Sequence, residues 1–323
     1  MSGKILEAKN LFKTFSLESG FFSRKDKSVY AVNDVSFTLN RGETYGIVGE
    51  SGCGKTTTAR LLIRMYEATS GQVLYYPQNP ETKALDVSSL KRKELNSFRE
   101  KVKYIFQDPA RSMNPRMDVF SVLVDAFRYS SRNFSKNDLV ELAGRTLLEV
   151  GLSENDLWRR PSEFSGGQRQ RISIARGLIM EPEVLICDEV VSALDVSIQG
   201  QILNLLQEIR QSKNLSFVFI THDLKVACYF SDRIGVMYRG VLVEEAPASS
   251  LYKDGLHPYT KLLFEGASGK RSESNIEVKS TLSRETACPF AHRCPYAKEK
   301  CLTELPEFRE VCKEQKVRCH FVQ

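Results

Sequence analysis

The segment that most constrains this chain is GESGCGKT at residues 49–56, which fits the pattern G-x-x-x-x-G-K-[ST]. The apolar run Tyr45 to Val48 before it reads as a strand, and TTTARLLIRMYE after Lys55 has helical spacing. The loop therefore runs from a strand end into a helix N-terminus, where unpaired backbone N–H groups and the positive helix end favour an anion. Gly49, Gly52 and Gly54 let those amides curl around phosphate oxygens without Cβ obstruction, and Glu50, Ser51 and Cys53 complete the loop. Lys55 is expected to neutralise β/γ-phosphate charge, and Thr56, followed by Thr57, to offer a hydroxyl to Mg²⁺.

Around this loop the chain alternates. Val35 to Leu39, Val184 to Cys187, Ser216 to Ile220, Ile234 to Tyr238 and Val241 to Glu244 read as strands, with helices at Gly167 to Met180 and Ser197 to Ser212. A stretch from about Asp86 to Trp158, including a helix at Lys136 to Val150, reads as a helical insertion. The pattern predicts an α/β fold with a mostly parallel sheet and helices on its faces. Near Gly266 the chain turns polar (GASGKRSESNIEVKSTLSRET), as a linker would, and the tail beyond it is too short for a core of its own. Of the 8 cysteines, Cys288, Cys294, Cys301, Cys312 and Cys319 crowd that tail and are its available staple. A second phosphate loop is absent from the sequence, so one nucleotide cassette is expected.

Two further motifs carry chemistry. VLICDE, residues 184–189, is an apolar strand ending in two carboxylates, of which Asp188 can hold Mg²⁺ and Glu189 can act as general base toward water. SGGQRQR, residues 165–171, precedes a helix, with Ser165 as N-cap and a Gly pair exposing backbone donors. A second anion-binding helix end in one chain makes best sense if it completes the site of another chain. These residues resemble the ATPase subunit of an ABC transporter, with Ser165, Gly166, Gly167 and Gln168 as the family signature. Other marks resemble the family in order: Gln107 as the glutamine that senses Mg²⁺ and the attacking water, SALD (192–195) as the loop between paired ATPases, and His222 as the switch histidine contacting the γ-phosphate. For the aromatic that stacks on adenine the best match is Phe15, with Tyr30 its rival across an insertion at about Leu17 to Lys27. Singly, each has a bland reading as polar surface, structural histidine or core aromatic; their joint order defeats it.

The resemblance implies an ABC-type P-loop ATPase with a mixed core sheet, a helical subdomain and a short cysteine-rich C-terminal extension. Its domains would be 1–265, with the helical insertion at about 86–165, and 266–323. QDPARSMNP (107–115) and HPYTKLL (257–263) resemble the oligopeptide and dipeptide importers, with departures at Met113, Val190 and Phe164 where that branch commonly has leucine, proline and leucine. Val190 removes a fixed φ but no chemical group. The tail resembles that branch's cysteine motif, which implies Cys288, Cys294, Cys301 and Cys319 as ligands of a [4Fe-4S] cluster; four thiolates also suit Zn²⁺, and the spacing alone leaves the metal open. Cys312 is spare, and His292 and His320 are neighbours that could replace a ligand.

Implied partners are a second, related but non-identical ATPase subunit, two membrane permease subunits and, indirectly, an extracytoplasmic substrate-binding protein. The expected place is the cytoplasmic face of the membrane, since MSGKILEAKN lacks a secretory pattern and no run approaches the roughly 18 apolar residues of a spanning helix. An importer of another solute, such as a nickel complex, shares most of these motifs. A non-transport relative acting on nucleic acid is disfavoured: 46 Lys+Arg against 40 Asp+Glu, a net charge of +6, is too balanced for a phosphate-backbone footprint, so no nucleic acid partner is expected.

Overall fold

The computed structural model describes residues 3–17, 27–79, 83–130, 132–267 and 287–322. Most of the linker expected from Gly266, and of the insertion between Phe15 and Tyr30, lies outside the described residues. The chain divides into two compact units. One, the loop unit, comprises Glu7–Thr38, Thr44–Val73 and Thr221–Gln323; the other, the carboxylate unit, comprises Met1–Leu6, Leu39–Glu43 and Leu74–Ile220.

The first elements are β1 (Lys4–Leu17), β2 (Lys27–Asn40), β3 (Thr44–Val48), α1 (Lys55–Leu62) and β4 (Ser70–Tyr75). Strands β2, β1 and β4 lie side by side in that order. All five residues of β3 are buried, which is what a continuous apolar run covered on both faces produces.

The carboxylate unit holds β5 (Leu85–Asp86), α2 (Arg92–Lys101), β6 (Val102–Ile105), α3 (Pro109–Ser112), α4 (Val119–Val124), α5 (Lys136–Glu149), α6 (Gly166–Leu178), β7 (Val184–Asp188), α7 (Val196–Lys213) and β8 (Ser216–Thr221). Strands β6, β7 and β8 are parallel, with Val102 opposite Val184 and Val184 opposite Ser216. Helix α6 packs close to this sheet because Gly177 has no side chain: a Cβ there would stand 3.3 Å from Ile105. Helix α5 starts at a capping box in which Ser135 and Asp138 satisfy each other's backbone N–H groups. The stretch 86–165 holds helices α4 and α5, and also β6, whose alternating sequence belongs to the parallel sheet.

The chain returns to the loop unit as α8 (Leu224–Phe230), β9 (Arg233–Tyr238), β10 (Val241–Pro247), α9 (Ala248–Lys253), α10 (Pro258–Ala267), α11 (Glu299–Thr303), β11 (Arg309–Cys312) and β12 (Gln315–Val317). Here the expectation of a mostly parallel sheet needs correction. Strand β3 is parallel to β9, but β9, β10, β12 and β11 run antiparallel in turn. Only Arg239 and Gly240 separate β9 from β10, and both have positive φ, 44° and 91°, as a two-residue hairpin turn requires.

The expectation of a cysteine-stapled tail is not met among the described residues, where the tail cysteines are free thiols; strand pairing and buried polar contacts hold it. Strand β12 pairs with β10, placing Glu244 opposite Val317. The fully buried Glu244 carboxylate accepts hydrogen bonds from the Leu256 and His257 backbone N–H groups (2.8 and 2.9 Å) and from Gln315 Nε2 (2.9 Å). Arg318, also buried, donates to the Leu242 carbonyl (3.2 Å) and to Asp34 (3.1 Å). Edge pairing and satisfied buried charge therefore stabilise a segment too short to make a core.

Candidate nucleotide site

In the loop unit, β3 delivers the chain into residues 49–54, and α1 opens at Gly54, whose φ of 108° is left-handed. A Cβ at Gly54 would collide with the Ala31 carbonyl at 2.2 Å, so this turn requires glycine. No side chain caps α1, which leaves its first amides to the loop concavity. Lys55 is buried, and its ammonium donates to the Gly49 and Glu50 carbonyls at 2.8 and 3.0 Å. Thr56 and Thr57, half-buried, stand in the first turn of α1, and Ser51 and Gly52 are exposed at the loop tip. Cys53 is buried; burial pushes its thiol pKa up against the pull of Lys55. The thiol belongs to the loop's packing.

Glu50 is held from elsewhere in the unit. Its backbone N–H donates to Tyr259 Oη at 3.0 Å, and its carboxylate receives both Arg293 Nη atoms at 2.8 and 3.0 Å. That ion pair raises the guanidinium pKa further above its ordinary value. Tyr259 packs on Tyr238 and Phe290, with ring centroids 4.6 and 5.4 Å away. Phe15, on β1, meets Tyr66 edge-on at 5.5 Å, while Tyr30 lies on β2. His222 is exposed in the turn before α8, which Asp223 caps by accepting from Lys225 and Val226.

In the carboxylate unit, β7 ends at Asp188, 2% exposed, whose carboxylate accepts from the Tyr104 hydroxyl. Glu189 follows with φ +49°; its N–H donates to the Ile220 carbonyl at 3.0 Å. Its carboxylate accepts from Gln107 Nε2 at 2.8 Å, so the structure brings together two residues 82 positions apart that the sequence singles out. Val190 and Phe164 are buried, and Phe164 carries the Arg159 guanidinium over its ring at 4.3 Å. Met113 is buried too, so all three departures from the branch pattern are apolar packing positions. Ser165 caps α6: its Oγ accepts from Gln168 N–H (3.3 Å) while Gln168 Oε1 accepts from Ser165 N–H (3.0 Å). Ser165, Gly166 and Gln168 are exposed, and Gly167 packs under Ile198, which a Cβ would meet at 2.8 Å.

The tail cysteines also converge. Cys288, Cys294, Cys301 and Cys319 line one cavity of about 170 Å³ with His257, whereas Cys312 is exposed on β11 and takes no part in it. His320 lines the same cavity, and His292 does not. Burial raises the Cys288 pKa to about 11, with the neighbouring thiols adding to the effect. Among the described residues no three His, Cys, Asp or Glu side chains stand where they could hold a metal ion. The four thiols share a cavity, but they are not placed as the ligands of a metal or cluster.

Comparison with known proteins decides the family. Residues 32–192 match the ABC transporter family, and residues 243–301 match the family described as oligopeptide/dipeptide transporter, C-terminal region. The oligopeptide transport ATP-binding protein AppF of Bacillus subtilis is 43% identical, over 98% of this chain and 97% of its own. The oligopeptide transport ATP-binding protein OppF of Escherichia coli is 39% identical, over 94% of this chain and 92% of its own. The chain belongs to the oligopeptide branch of the ABC transporter ATPases. Its fold is similar to the dimeric ATP-binding cassette MJ0796 bound to ADP and Pi, with a TM-score of 0.65 and 26% identity over 76% of this chain and 99% of that one. As an ABC ATPase it hydrolyses ATP to drive import, and membership implies membrane permease partners and a paired ATPase. No helix among the described residues is long and apolar enough to cross a membrane.

Sequence reasoning missed three residues, one in the carboxylate unit and two in the loop unit. Tyr104, Tyr259 and Arg293 each act on a motif residue far away in sequence. Tyr259 stood in view within HPYT, but only as a mark of the branch.

Proposed function

We propose that this chain powers uptake of di- or oligopeptides through separate permease subunits, working from the cytoplasmic face of the membrane beside a related second ATPase subunit. The hydrogen bond from Gln107 to Glu189 carries the catalytic reading, because a glutamine side chain is what would orient both a water and the carboxylate that deprotonates it. Lys55 and the amides of residues 49–57 bind phosphate, Phe15 stacks on adenine, and His222 reaches the γ-phosphate. Thr56, Asp188 and Gln107 would hold Mg²⁺, which would supply neutralisation of phosphate charge. Ser165, Gly166, Gly167 and Gln168 face the nucleotide of the other ATPase, so contacts made only in the closed pair supply the differential affinity that moves the permeases. The loop from Gln107 to Met117, beside a cavity of about 520 Å³ lined by Lys103, Met113 and Arg176, suits permease docking.

The tail is read as a [4Fe-4S] site held by Cys288, Cys294, Cys301 and Cys319, with zinc as the rival ion; their shared cavity supports this reading, and their placement in it does not. The peptide assignment draws support from the match at residues 243–301 and from the printed names of the relatives.

The test is the reconstituted transporter. Peptides presented with the binding protein should stimulate hydrolysis, and Glu189→Gln should retain MgATP while turnover falls by about 10²–10⁴, the usual worth of a general base. Stimulation by a nickel complex instead of peptides would overturn the substrate assignment. Unchanged turnover in Glu189→Gln would remove Glu189 from its role.

A further inference from the structure

Residue 50 of the phosphate loop is gripped at both ends. Tyr259 accepts its backbone N–H, and Arg293 makes two parallel hydrogen bonds to its carboxylate. Neither contact is casual. Tyr259 is fully buried and wedged against Tyr238 and Phe290. The Arg293 guanidinium lies over the same two rings, at 5.8 Å from Tyr238 and 5.9 Å from Phe290. Its backbone is fixed by a tight turn, with Ala291 N–H donating to Cys288 O at 3.1 Å and Arg293 N–H to Phe290 O at 3.0 Å. Both ends of that turn, Cys288 and Cys294, are cavity-lining thiols.

We infer that Arg293 is a positioning residue for the ATPase: acting through Glu50, it holds the phosphate loop in its binding shape before nucleotide arrives. A preformed loop spares nucleotide binding the cost of ordering it. The same ordering is present in ground state and transition state, so loss of the clamp weakens MgATP binding without slowing the chemical step. The tail turn thereby sets nucleotide affinity although it touches no nucleotide. This inference rests on the reading of residues 49–56 as the nucleotide site.

Equilibrium binding of MgATP to the purified full chain, with KM and kcat in the assembled transporter, tests it. Arg293→Gln is expected to weaken MgATP and raise KM by about five- to tenfold, the scale of a charge-assisted bond reduced by partial exposure, with kcat within about twofold. Arg293→Lys keeps the charge but loses the planar fork, and should recover part of the loss. Because both residues act as one unit, Glu50→Gln combined with Arg293→Gln should bind no more weakly than the worse single variant. Unchanged affinity in Arg293→Gln, additive losses in the double variant, or a fall in kcat at constant KM would each overturn the inference. Should Arg293→Gln fail to fold, judged by melting temperature and circular dichroism, Arg293→Lys decides: about two- to threefold weaker binding supports the clamp, and wild-type affinity removes it. Lys55→Ala separates the two claims, since a Lys55→Ala chain that still binds MgATP normally would refute the loop assignment itself.

Discussion

Glu189 holds a left-handed backbone, φ +49°, that costs a non-glycine residue about 1 kcal/mol or more. The strain aims its carboxylate toward Gln107 instead of continuing β7. Lys55, Thr56, Asp188 and Glu189 stand out in the sequence because the chemistry proposed for them depends on a few adjacent residues. Tyr259 and Arg293 do not, because what makes them matter is Glu50, 209 and 243 positions away. Arg318 is a similar case: in RCH it passes for a bystander of Cys319, yet it is buried beside Asp34. Arg318→Met should destabilise the chain by about 2 kcal/mol, below the usual cost of breaking a buried pair, since Asp34 is partly exposed and Asn10 also donates to it at 2.9 Å. Urea unfolding, read as a lower midpoint at unchanged slope, checks this.

Among the elements, α6 has two duties that its N-cap joins. Ser165 satisfies the first turn's amides, and the same hydroxyl lies on the exposed signature surface. Ser165→Ala should lose about 1 kcal/mol of stability through the cap. Ser165→Asp keeps a capping oxygen but sets a negative charge against an incoming phosphate, so it should melt near wild type yet lose ATPase activity in the assembled pair. Melting curves and turnover together separate the two duties; full activity in Ser165→Asp would leave only the structural one. The parallel strands β7 and β8 are readable as apolar runs between helices, whereas β6, which alternates, is not. The antiparallel edge is less readable, because β11 and β12 are short, polar and paired only through β10. Their stability comes from long-range pairing, which local periodicity does not record.

For the whole molecule, the phosphate loop belongs to the loop unit, and the carboxylates and signature belong to the carboxylate unit. The expected separation of an ATPase body from a cysteine-held tail does not describe how the loop unit coheres. Residues 287–322 supply an edge strand, the Gln315 partner of Glu244 and the Phe290 ring of the aromatic cluster. Deleting residues 287–323 should therefore lower the melting temperature by several degrees, at about 2–4 °C per kcal/mol for a unit of this size, and weaken MgATP binding. Arg318→Met in the full chain should lower it less, since strand pairing through β10 survives. Calorimetry of the two samples checks the order. The Glu50–Arg293 pair, spanning 243 residues, also constrains synthesis. A nascent chain can complete β3 and α1 early, but the loop between them stays unclamped until residue 293 has left the ribosome. On the clamp reading, a partly made chain would compete poorly for cellular ATP, and full affinity would come only once the tail turn has emerged and folded.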